Sequence, residues 1–333
     1  MTFHLRALMT LGIPGVDPKF AEVIEQGLQE VESLLATQIK GEYPLVVETS
    51  RHLVEAGGKR FRPMLALICS HFGDGINRKV IESAVVCELT HVATLYHDDV
   101  MDEAPLRRSV VSANSKWGNT VAILTGDYLF SKASDLLADL GPDAVRLQAN
   151  TFERLVIGQI EETQKAKGDP LQHYLRVVSE KTGSLIATSA RFGAIFGGAK
   201  RDEIELLTQF GEKIGIAFQL ADDVIDIASD SNQSGKTPGI DLREGVPTLV
   251  TLQILRSTDS KDAKLKEVLS KPVPEAEISA LIKELRNHSA LIEAKKYLHG
   301  LANESKAMLA PLPNGPAKET LERLCDAIVN RTA

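Results

Sequence analysis

Apolar residues recur every three or four positions along nearly the whole sequence, and this spacing limits the possible folds more than any other feature. In residues 17–39 the repeat runs through Phe20, Ile24, Leu28, Val31 and Leu35, which places these side chains on one face of an α-helix. Runs of β-branched and aromatic residues, which are typical of strands, are scarce. Further helices are predicted over 45–56, 63–72, 79–101, 113–140, 143–166, 170–196, 201–229, 247–256, 261–270, 275–308 and 316–331.

Short breaks at Gly or Pro separate these helices, and no internal repeat, low-complexity tract or interdomain linker interrupts the 333 residues. Long helices joined by short turns form bundles, in which sites lie between facing helices. We therefore predict an all-α fold: one domain over residues 1–333, built as a large multi-helix bundle with a central apolar cavity.

Charge and cysteine content restrict the possible partners and the cellular location. The formal net charge is −7, so the chain has no overall attraction for nucleic acid. Cys69, Cys87 and Cys325 are far apart among aliphatic residues, which favours buried, reduced thiols. The first residues lack the apolar stretch of a signal peptide, and no run of about 18 apolar residues exists that would span a membrane. These features predict a cytoplasmic protein.

The first candidate site is the segment HDDVMD, residues 97–102, at the end of a long apolar helix. Asp98 and Asp102 are four residues apart, so their carboxylates share one helix face with Cβ atoms about 5–6 Å apart. Their repulsion near a helix C-terminus requires a positive charge nearby. Hard oxygen donors suit Mg²⁺, which binds one or two carboxylates together with substrate phosphates. The alternative is a solvated acidic helix end, but the preceding CELTHVATLYH is unusually apolar for an exposed face.

A second segment, QLADDVIDI at residues 219–227, repeats this pattern. Asp222 and Asp226 are four residues apart, Asp223 lies beside the first of them, and Gln219 lies one turn earlier on the same face. Two such patterns on two apolar helices indicate carboxylates that hold a metal cluster. A metal cluster of this kind stabilises a developing oxyanion.

Cationic residues form a third candidate site in GGKRFRP, residues 57–63. Two glycines allow a tight turn, Pro63 starts a helix, and the adjacent cations Lys59, Arg60 and Arg62 favour an anion at the helix N-terminus. The alternative is an ordinary basic surface loop. Further candidate cations are Arg107, Arg108 and Lys181, the last followed by Thr182. The segment SGKT at 234–237 lacks the first glycine and the preceding strand of a P-loop.

Together these motifs resemble those of the trans-isoprenyl diphosphate synthases, also called polyprenyl synthetases. The motifs are, in chain order, GGKRFRP, HDDVMDEAPLRR, GDYLFSKA, GQIEET, EKTGSL, FQLADDVID and GKTPGIDLREGVPTL. The resemblance covers about Gly57 to Leu249, and the helical periodicity extends it over most of the chain. It implies an isoprenoid-synthase fold and a Mg²⁺-dependent prenyltransferase that joins isopentenyl diphosphate to an allylic diphosphate.

The resemblance also implies roles for individual residues. The residues expected to bind isopentenyl diphosphate are Gly58, Lys59, Arg62, His91 and Arg108. Those expected to bind the allylic diphosphate are Arg107, Lys181, Thr182, Gln219 and Lys236. The metal ligands would be Asp98, Asp102, Asp222 and Asp226, with three Mg²⁺ ions per site. The residues essential for catalysis would be Asp98, Asp102, Asp222 and Lys181. The family also implies a homodimer and transient membrane contact during product release.

Two small residues before the first acidic motif bear on the product length. Thr94 lies one helical turn from Asp98, Ala93 lies beside it, and relatives that make short products tend to carry bulky aromatics at these positions. Small residues leave the passage open, which predicts a product of about seven to ten isoprene units for a quinone side chain such as that of menaquinone. The alternative for Ala93 and Thr94 is that they only allow close helix packing. The alternative function is that of a short-chain farnesyl or geranylgeranyl diphosphate synthase.

Three alternatives of other classes stay open. A class I terpene cyclase also uses acidic helices and Mg²⁺, but it needs no second diphosphate pocket such as 57–62. A di-iron bundle would use Glu88 and His91, an E-x-x-H pair, but a second such pair is lacking. A non-catalytic subunit of a heteromeric synthase is expected to lack the acidic motifs. One departure from the family is Val246, which stands where many relatives carry a lysine.

Overall fold

The computed structural model describes residues 12–228 and 239–331 of the chain. It is 78% helical with almost no strands, which confirms the all-α prediction. The two short strands, β1 (Leu106–Arg107) and β2 (Val110–Val111), form an antiparallel hairpin directly after the first acidic motif. In the part of the chain that is described, no helix combines the length and the apolar character needed to cross a membrane.

The α-helices are numbered here along the chain. The first eight are α1 Pro18–Gln38, α2 Pro44–Glu55, α3 Phe61–Ser70, α4 Arg78–Met101, α5 Ala113–Trp117, α6 Asn119–Leu140, α7 Pro142–Glu162 and α8 Pro170–Val178. A single π-helical turn, Ser179–Gly183, follows α8. The others are α9 Ser184–Gly197, α10 Arg201–Ala228, α11 Ile240–Glu244, α12 Leu249–Arg256, α13 Ala263–Leu269, α14 Glu275–Arg286, α15 Ser289–Met308 and α16 Pro316–Asn330. A 3₁₀ turn, Ser260–Asp262, precedes α13.

Two of the predicted helices are divided in the structure. The helix predicted over 113–140 breaks at Gly118, whose φ of 86° ends α5 and begins α6, a conformation that glycine adopts at little cost. The helix predicted over 275–308 breaks before α15, where the His288 side chain accepts a hydrogen bond from the backbone N–H of Ala290 (3.1 Å). The backbone conformation of Gly118 and the side-chain cap of His288 thus interrupt the continuous helices that apolar spacing alone predicts.

The contacts divide the described chain into two compact units, and the prediction of one domain stays a prediction. The first unit contains residues 12–152, Leu185–Gly211 and Leu312–Thr320. Within it α4 packs chiefly on α6 and is buried on nearly all sides. The Tyr96 hydroxyl donates a hydrogen bond to the Thr49 carbonyl and accepts one from the Leu53 backbone N–H (3.2 Å). These bonds attach the C-terminal end of α4, which carries the first acidic motif, to α2.

The second unit contains Glu153–Ser184, the described residues from 212 to 311, and residues 321–331. Its core includes apolar side chains without accessible surface on α10, α12 and α15, among them Val224, Leu249 and Leu298. Helix α12 begins at a capping box in which the Thr248 and Thr251 side chains each bond the other's backbone N–H, an arrangement that satisfies two unpaired donors. This core supports the second acidic motif on α10.

Candidate active site

In the first acidic motif, neighbouring aspartates have different surroundings. Asp98 is half-buried and Asp102 is exposed, whereas the Asp99 side chain has no accessible surface. Arg107, in strand β1, donates a hydrogen bond from Nε to Asp99 Oδ1 (2.5 Å), and its Nη2 lies 3.9 Å from Asp102 Oδ2. The β1–β2 hairpin therefore brings a predicted diphosphate ligand, Arg107, next to the acidic helix end and partly neutralises it.

Asp99 is a buried carboxylate that is only partly satisfied. Its Oδ2 has no hydrogen-bond partner among the described residues. Burial raises the pKa of Asp99, and the charge and hydrogen bond of Arg107 act against that rise. Asp99 therefore acts as an internal counter-charge for Arg107, while the outer residues of the motif keep accessible surface.

The second acidic motif shows the same division. Asp223 is buried, accepts a hydrogen bond from the Tyr174 hydroxyl, and accepts another from Gln219 Nε2 (3.0 Å). Burial, together with the nearby charges of Asp222 and Asp226, raises the pKa of Asp223 to about 6. The middle aspartate is again an internal group, and the two outer aspartates keep accessible surface.

The outer aspartates of this motif have contacts that sequence reasoning did not predict. Asp222 Oδ1 accepts a hydrogen bond from Arg331 Nη2 (2.6 Å), and the guanidinium carbon of Arg331 lies 5.0 Å from the centre of the Phe218 ring. Asp226 accepts a hydrogen bond from the backbone N–H of Gly239 (3.1 Å). Neither Arg331 nor Tyr174 belongs to a motif, so no local spacing identifies them as neighbours of α10.

The chemistry of these carboxylates fits a hydrated magnesium ion. Among the described residues, no three His, Cys, Asp or Glu side chains are gathered closely enough to hold a metal by themselves. Mg²⁺ usually keeps several waters and takes one or two carboxylates together with substrate phosphates. An outer pair of aspartates one helical turn apart supplies this number of ligands in each motif.

The predicted anion site at residues 57–63 begins in a turn that contains left-handed backbone. Gly57 has a φ of 95° and Arg60, the residue before α3, a φ of 48°. Lys59 is exposed. Arg62 has a buried Nε without a hydrogen-bond partner among the described residues, and burial lowers the pKa of its guanidinium. A buried cationic donor is costly unless it has an acceptor, so an Nε without one among the described residues is expected where an anion binds.

Arg60 differs from its two cationic neighbours, because protein acceptors that the sequence did not predict already bind its guanidinium. Its side chain is only 6% exposed and donates hydrogen bonds to Glu32, to Glu88 Oε1 (2.8 Å) and to the Val54 carbonyl (2.9 Å). These acceptors occupy the guanidinium from three sides. The pattern GGKRFRP does not show this, because the carboxylates come from distant parts of the sequence.

Arg108 and His91 lie in the same electrostatic environment as Arg62. Arg108 Nη1 donates a hydrogen bond to the Leu53 carbonyl (2.6 Å), and its Nη2 lies 3.6 Å from Glu88 Oε1. Burial lowers the pKa of His91 well below its usual value, and the charges of Arg62 and Arg108 lower it further. The imidazole is therefore neutral at pH 7. Because Glu88 is an ion-pair partner of arginines, it is unsuited to the iron site of the di-iron alternative.

The π-helical turn presents Lys181 and Thr182, two predicted ligands of the allylic diphosphate. Lys181 Nζ donates to Glu162 Oε2 (2.6 Å), and Thr182 Oγ1 donates to Gln219 Oε1 (3.3 Å). A Cβ atom at Gly158 would lie only 2.8 Å from the Lys181 backbone nitrogen, so glycine is needed for this close approach. Arg154 binds the same turn from α7. π-Helical turns are frequent at functional sites.

The last three predicted site residues are Lys236, Ala93 and Thr94. Lys236 lies outside the described residues. Ala93 has no accessible surface, whereas Thr94 is half-buried and its hydroxyl donates a hydrogen bond to the His91 carbonyl (2.8 Å). Any bulky side chain introduced at Ala93 must therefore displace its neighbours in this state, and the assignment of both residues to product length stays a prediction.

Comparison with known proteins identifies the family. Residues 43–285 match the sequence pattern of the family described as Polyprenyl synthetase. The chain belongs to the polyprenyl synthetase family. It is 43% identical over 329 residues to the nonaprenyl diphosphate synthase of Mycobacterium tuberculosis, with 98% of each chain covered. It is 35% identical to heptaprenyl diphosphate synthase component 2 of Geobacillus stearothermophilus, with 90% of this chain and 94% of the relative covered.

A solved structure supports the same assignment. The geranylgeranyl pyrophosphate synthase of Corynebacterium glutamicum, complexed with calcium and isoprenyl diphosphate, is 41% identical, with a TM-score of 0.85 over 95% of this chain and 98% of that chain. The predicted family resemblance is therefore confirmed, and this polyprenyl synthetase is a prenyltransferase. The roles of the individual site residues stay predictions.

Proposed function

We propose that this polyprenyl synthetase is an all-trans polyprenyl diphosphate synthase that condenses isopentenyl diphosphate head-to-tail (1'-4) with an allylic diphosphate. The observation that carries this proposal is the buried Nε of Arg62, for which the described residues supply no acceptor, near the neutral His91 and the cation Arg108. It supports a cationic pocket for a second diphosphate, which a condensing enzyme with two diphosphate substrates needs and a terpene cyclase does not.

The proposed binding roles follow the charges of the described residues. The proposed ligands of the isopentenyl diphosphate are Gly58, Lys59, Arg62, His91 and Arg108. The proposed ligands of the allylic diphosphate are Arg107, Lys181, Thr182, Gln219 and Lys236. Lys181 is paired with Glu162 and Arg107 with Asp99. These ion pairs compensate the cations until a diphosphate contributes its own negative charge.

We assign the metal ligands to the outer aspartates Asp98, Asp102, Asp222 and Asp226. The relative solved with calcium and isoprenyl diphosphate supports a divalent metal, and the carboxylate chemistry favours Mg²⁺, in a proposed number of three ions. When bound, the metal supplies electrostatic stabilisation of the diphosphate leaving group.

The proposed reaction needs no side-chain nucleophile. Arg107 and Lys181 stabilise the negative charge that develops on the allylic diphosphate as its C–O bond breaks. The double bond of isopentenyl diphosphate then attacks the allylic cation, a C–C bond forms, and a proton passes to the released diphosphate to leave a trans double bond. Apolar helix surfaces exclude the water that would otherwise quench the cation.

The proposed product contains about seven to ten isoprene units and serves as a quinone side chain. The printed names of the nonaprenyl and heptaprenyl relatives support this length, whereas the geranylgeranyl name of the solved relative supports the short-chain alternative. Incubation of the purified chain with labelled isopentenyl diphosphate, Mg²⁺ and several allylic primers, then chromatography of the dephosphorylated products, tests the proposal.

Each outcome of this incubation has a defined meaning. Products of seven to ten units support the proposal, whereas products of three or four units would replace the long-chain assignment by the short-chain one. Consumption of the allylic substrate alone would indicate a cyclase. Activity that requires a second protein would indicate a heteromeric enzyme, as the word component in the name of the heptaprenyl relative suggests.

The proposed route of the growing product is tested by Ala93→Phe. If the chain grows past Ala93, the aromatic ring stops it early, so short products replace long ones while the first condensation changes little. Because Ala93 is fully buried, circular dichroism must first establish that the variant folds. Long products from the folded variant would mean that the tail takes another path.

The same proposal includes a cytoplasmic homodimer that touches membranes transiently during product release. Exposed apolar side chains of the first unit support the dimer: on α6, Ile123 and Leu124 are 42% and 61% exposed, and on α7, Val145 is 44% exposed. Burial of such a surface against a second copy is favourable by about 25 cal/mol per Å².

The proposed membrane contact rests on the apolar nature of a long product. Co-sedimentation of the protein with lipid vesicles before and after turnover tests this contact.

A further inference from the structure

Glu88 is a buried carboxylate to which neither the acidic motifs nor the predicted ligands assign a role. Its side chain is only 2% exposed, on α4, one helical turn before His91. Its Oε1 accepts a hydrogen bond from Arg60 Nη1 (2.8 Å) and lies 3.6 Å from Arg108 Nη2. A carboxylate so deeply buried is costly unless cations compensate it, and here one oxygen serves two guanidinium groups.

Arg60 connects this carboxylate to two other helices. It donates hydrogen bonds to Glu32 of α1, to the Val54 carbonyl of α2 and to Glu88 of α4. Its backbone is in the left-handed region, with a φ of 48°, which costs free energy for a residue with a Cβ atom. The three acceptors hold that conformation, and the turn with Gly58 and Lys59 precedes it directly.

Glu88 also fixes Arg108, a proposed ligand of isopentenyl diphosphate. The Arg108 guanidinium is held by the Leu53 carbonyl on one side and by Glu88 on the other. A Cβ atom at Gly58 would lie 3.0 Å from Arg108 Nη2 and 3.1 Å from Arg60 Nη1. The turn, Arg60 and Arg108 are thus packed against one another around Glu88.

We propose that Glu88 and Arg60 are positioning residues that hold the turn 57–62 and Arg108 in the arrangement that binds the diphosphate of isopentenyl diphosphate. This inference rests on the proposed function. The mechanism is preorganisation: Arg60, Arg62 and Arg108 repel one another, and the Glu88 charge offsets that repulsion before a ligand arrives. An anion then finds its donors already placed, and less conformational entropy is lost on binding.

Glu88→Gln separates positioning from simple electrostatics, because the two effects have opposite signs. Removing a negative charge makes the pocket more positive, so electrostatics alone predicts tighter binding of a diphosphate. Loss of the Glu88 charge weakens one of the contacts that hold the guanidinium groups of Arg60 and Arg108, so positioning predicts weaker binding. The amide has nearly the size of the carboxylate, so packing changes little.

The experiment measures calorimetric binding of isopentenyl diphosphate and of an allylic diphosphate to the full-length chain, together with steady-state kinetics. For Glu88→Gln we expect the Kd and KM for isopentenyl diphosphate to rise about tenfold, with the KM of the allylic substrate and kcat within about twofold. Arg60→Met should behave alike. The double variant should bind isopentenyl diphosphate no more weakly than the single variant with the lower affinity, because both changes break the same ion pair.

Glu82→Gln is the matched control. Glu82 lies on the same helix, and its carboxylate pairs with the exposed Arg78 (2.6 Å). The Kd and KM values of the Glu82→Gln variant should therefore equal those of the unmodified chain. Arg60→Lys adds a second control: it keeps the charge but cannot reach three helices at once, so it should not restore affinity.

Two results would overturn the inference. One is unchanged or tighter binding of isopentenyl diphosphate by folded Glu88→Gln. The other is an equal loss of affinity for both substrates, which would indicate general destabilisation. If Glu88→Gln fails to fold, Arg60→Lys answers the same question, because it keeps the positive charge of the pocket and removes the contacts that hold the turn. Failure of the proposed function itself is distinguishable, because the unmodified chain would then neither bind isopentenyl diphosphate nor elongate a primer.

Discussion

At the scale of single residues, adjacent aspartates of the same motif have separate roles. Asp99 and Asp223 are buried and bound to Arg107 and Tyr174 respectively, whereas the aspartates before them keep accessible surface. A buried carboxylate that already accepts hydrogen bonds from protein groups is poorly placed to bind a hydrated ion. Substitution of an outer aspartate should therefore affect catalysis rather than folding.

The first prediction concerns the metal ligands. Asp98→Ala and Asp222→Ala should each lower turnover by orders of magnitude, because the developing charge on the leaving group loses its stabilisation. Circular dichroism should show unchanged helicity, and the exposed Asp139→Ala serves as a control with normal turnover. Near-normal turnover in either of the first two variants would refute the assignment of these aspartates to the metal.

A second residue-scale prediction concerns pH and His91. Burial and the charges of Arg62 and Arg108 lower its folded-state pKa well below the usual value near 6.5. As pH falls below 6.5, the unfolded chain takes up a proton that the folded chain does not, so the free energy of unfolding decreases. The stability that depends on a neutral His91 is therefore fully present above pH 6.5 and is lost as the pH falls.

The variant His91→Gln lacks this titration. Urea unfolding of both proteins at pH 7.5, 6.0 and 5.0 should show the unmodified chain losing stability relative to the variant as pH falls, by at most about 1.4 kcal/mol per pH unit. A constant difference in the free energy of unfolding over this range would show that His91 does not titrate below its usual pKa.

At the scale of secondary-structure elements, the π-helical turn 179–183 is held from two sides. From α7, Arg154 donates to Glu180 Oε2 (2.7 Å) and to Glu212 Oε1 (2.6 Å). From α10, Glu212 accepts from the Ser179 hydroxyl (2.6 Å), and Gln219, two helical turns later, accepts from Thr182. The turn is therefore attached to neighbouring helices at both ends of the segment that carries Lys181.

Arg154→Met should release this turn while leaving its apolar contacts in place. We expect the KM of the allylic diphosphate to rise several-fold, because Lys181 and Thr182 lose their fixed positions, with little change in the KM of isopentenyl diphosphate. Steady-state kinetics with each substrate varied in turn makes the comparison. Arg176→Met, which breaks an ion pair between an exposed arginine and Glu161, is the control, and equal effects of the two variants would contradict the proposed role of Arg154.

The elements also show how far apolar spacing alone can predict a fold. Most helices lie within a few residues of their predicted bounds, because the three-and-four repeat reflects one buried face. The breaks before α6 and α15 were missed, since Gly118 and His288 act through backbone conformation and capping, which the repeat does not contain. The repeat does not contain the π-helical turn either, because the side chains of that turn are bound by residues of other helices.

At the scale of the whole molecule, the exposed apolar residues of α6 and α7 predict assembly. Light scattering at micromolar concentration should give the mass of a dimer, twice 36.2 kDa. Leu124→Glu, at a side chain 61% exposed, should shift the mass to that of a monomer because it buries a charge in an apolar interface. Ile292→Glu, on α15 and 67% exposed, should leave the dimer intact; a monomeric unmodified chain would contradict the proposal.

The sequence alone determined the helical fold, the family and the paired carboxylates, because periodicity and i,i+4 spacing are local and one helix is enough to express them. Only the tertiary structure decided which charged groups are internal. Arg60 and Glu88 are 28 residues apart, Tyr174 and Asp223 are 49 apart, and Arg331 is 109 residues from Asp222. A buried charge requires a partner, and which residue becomes that partner depends on how the helices pack.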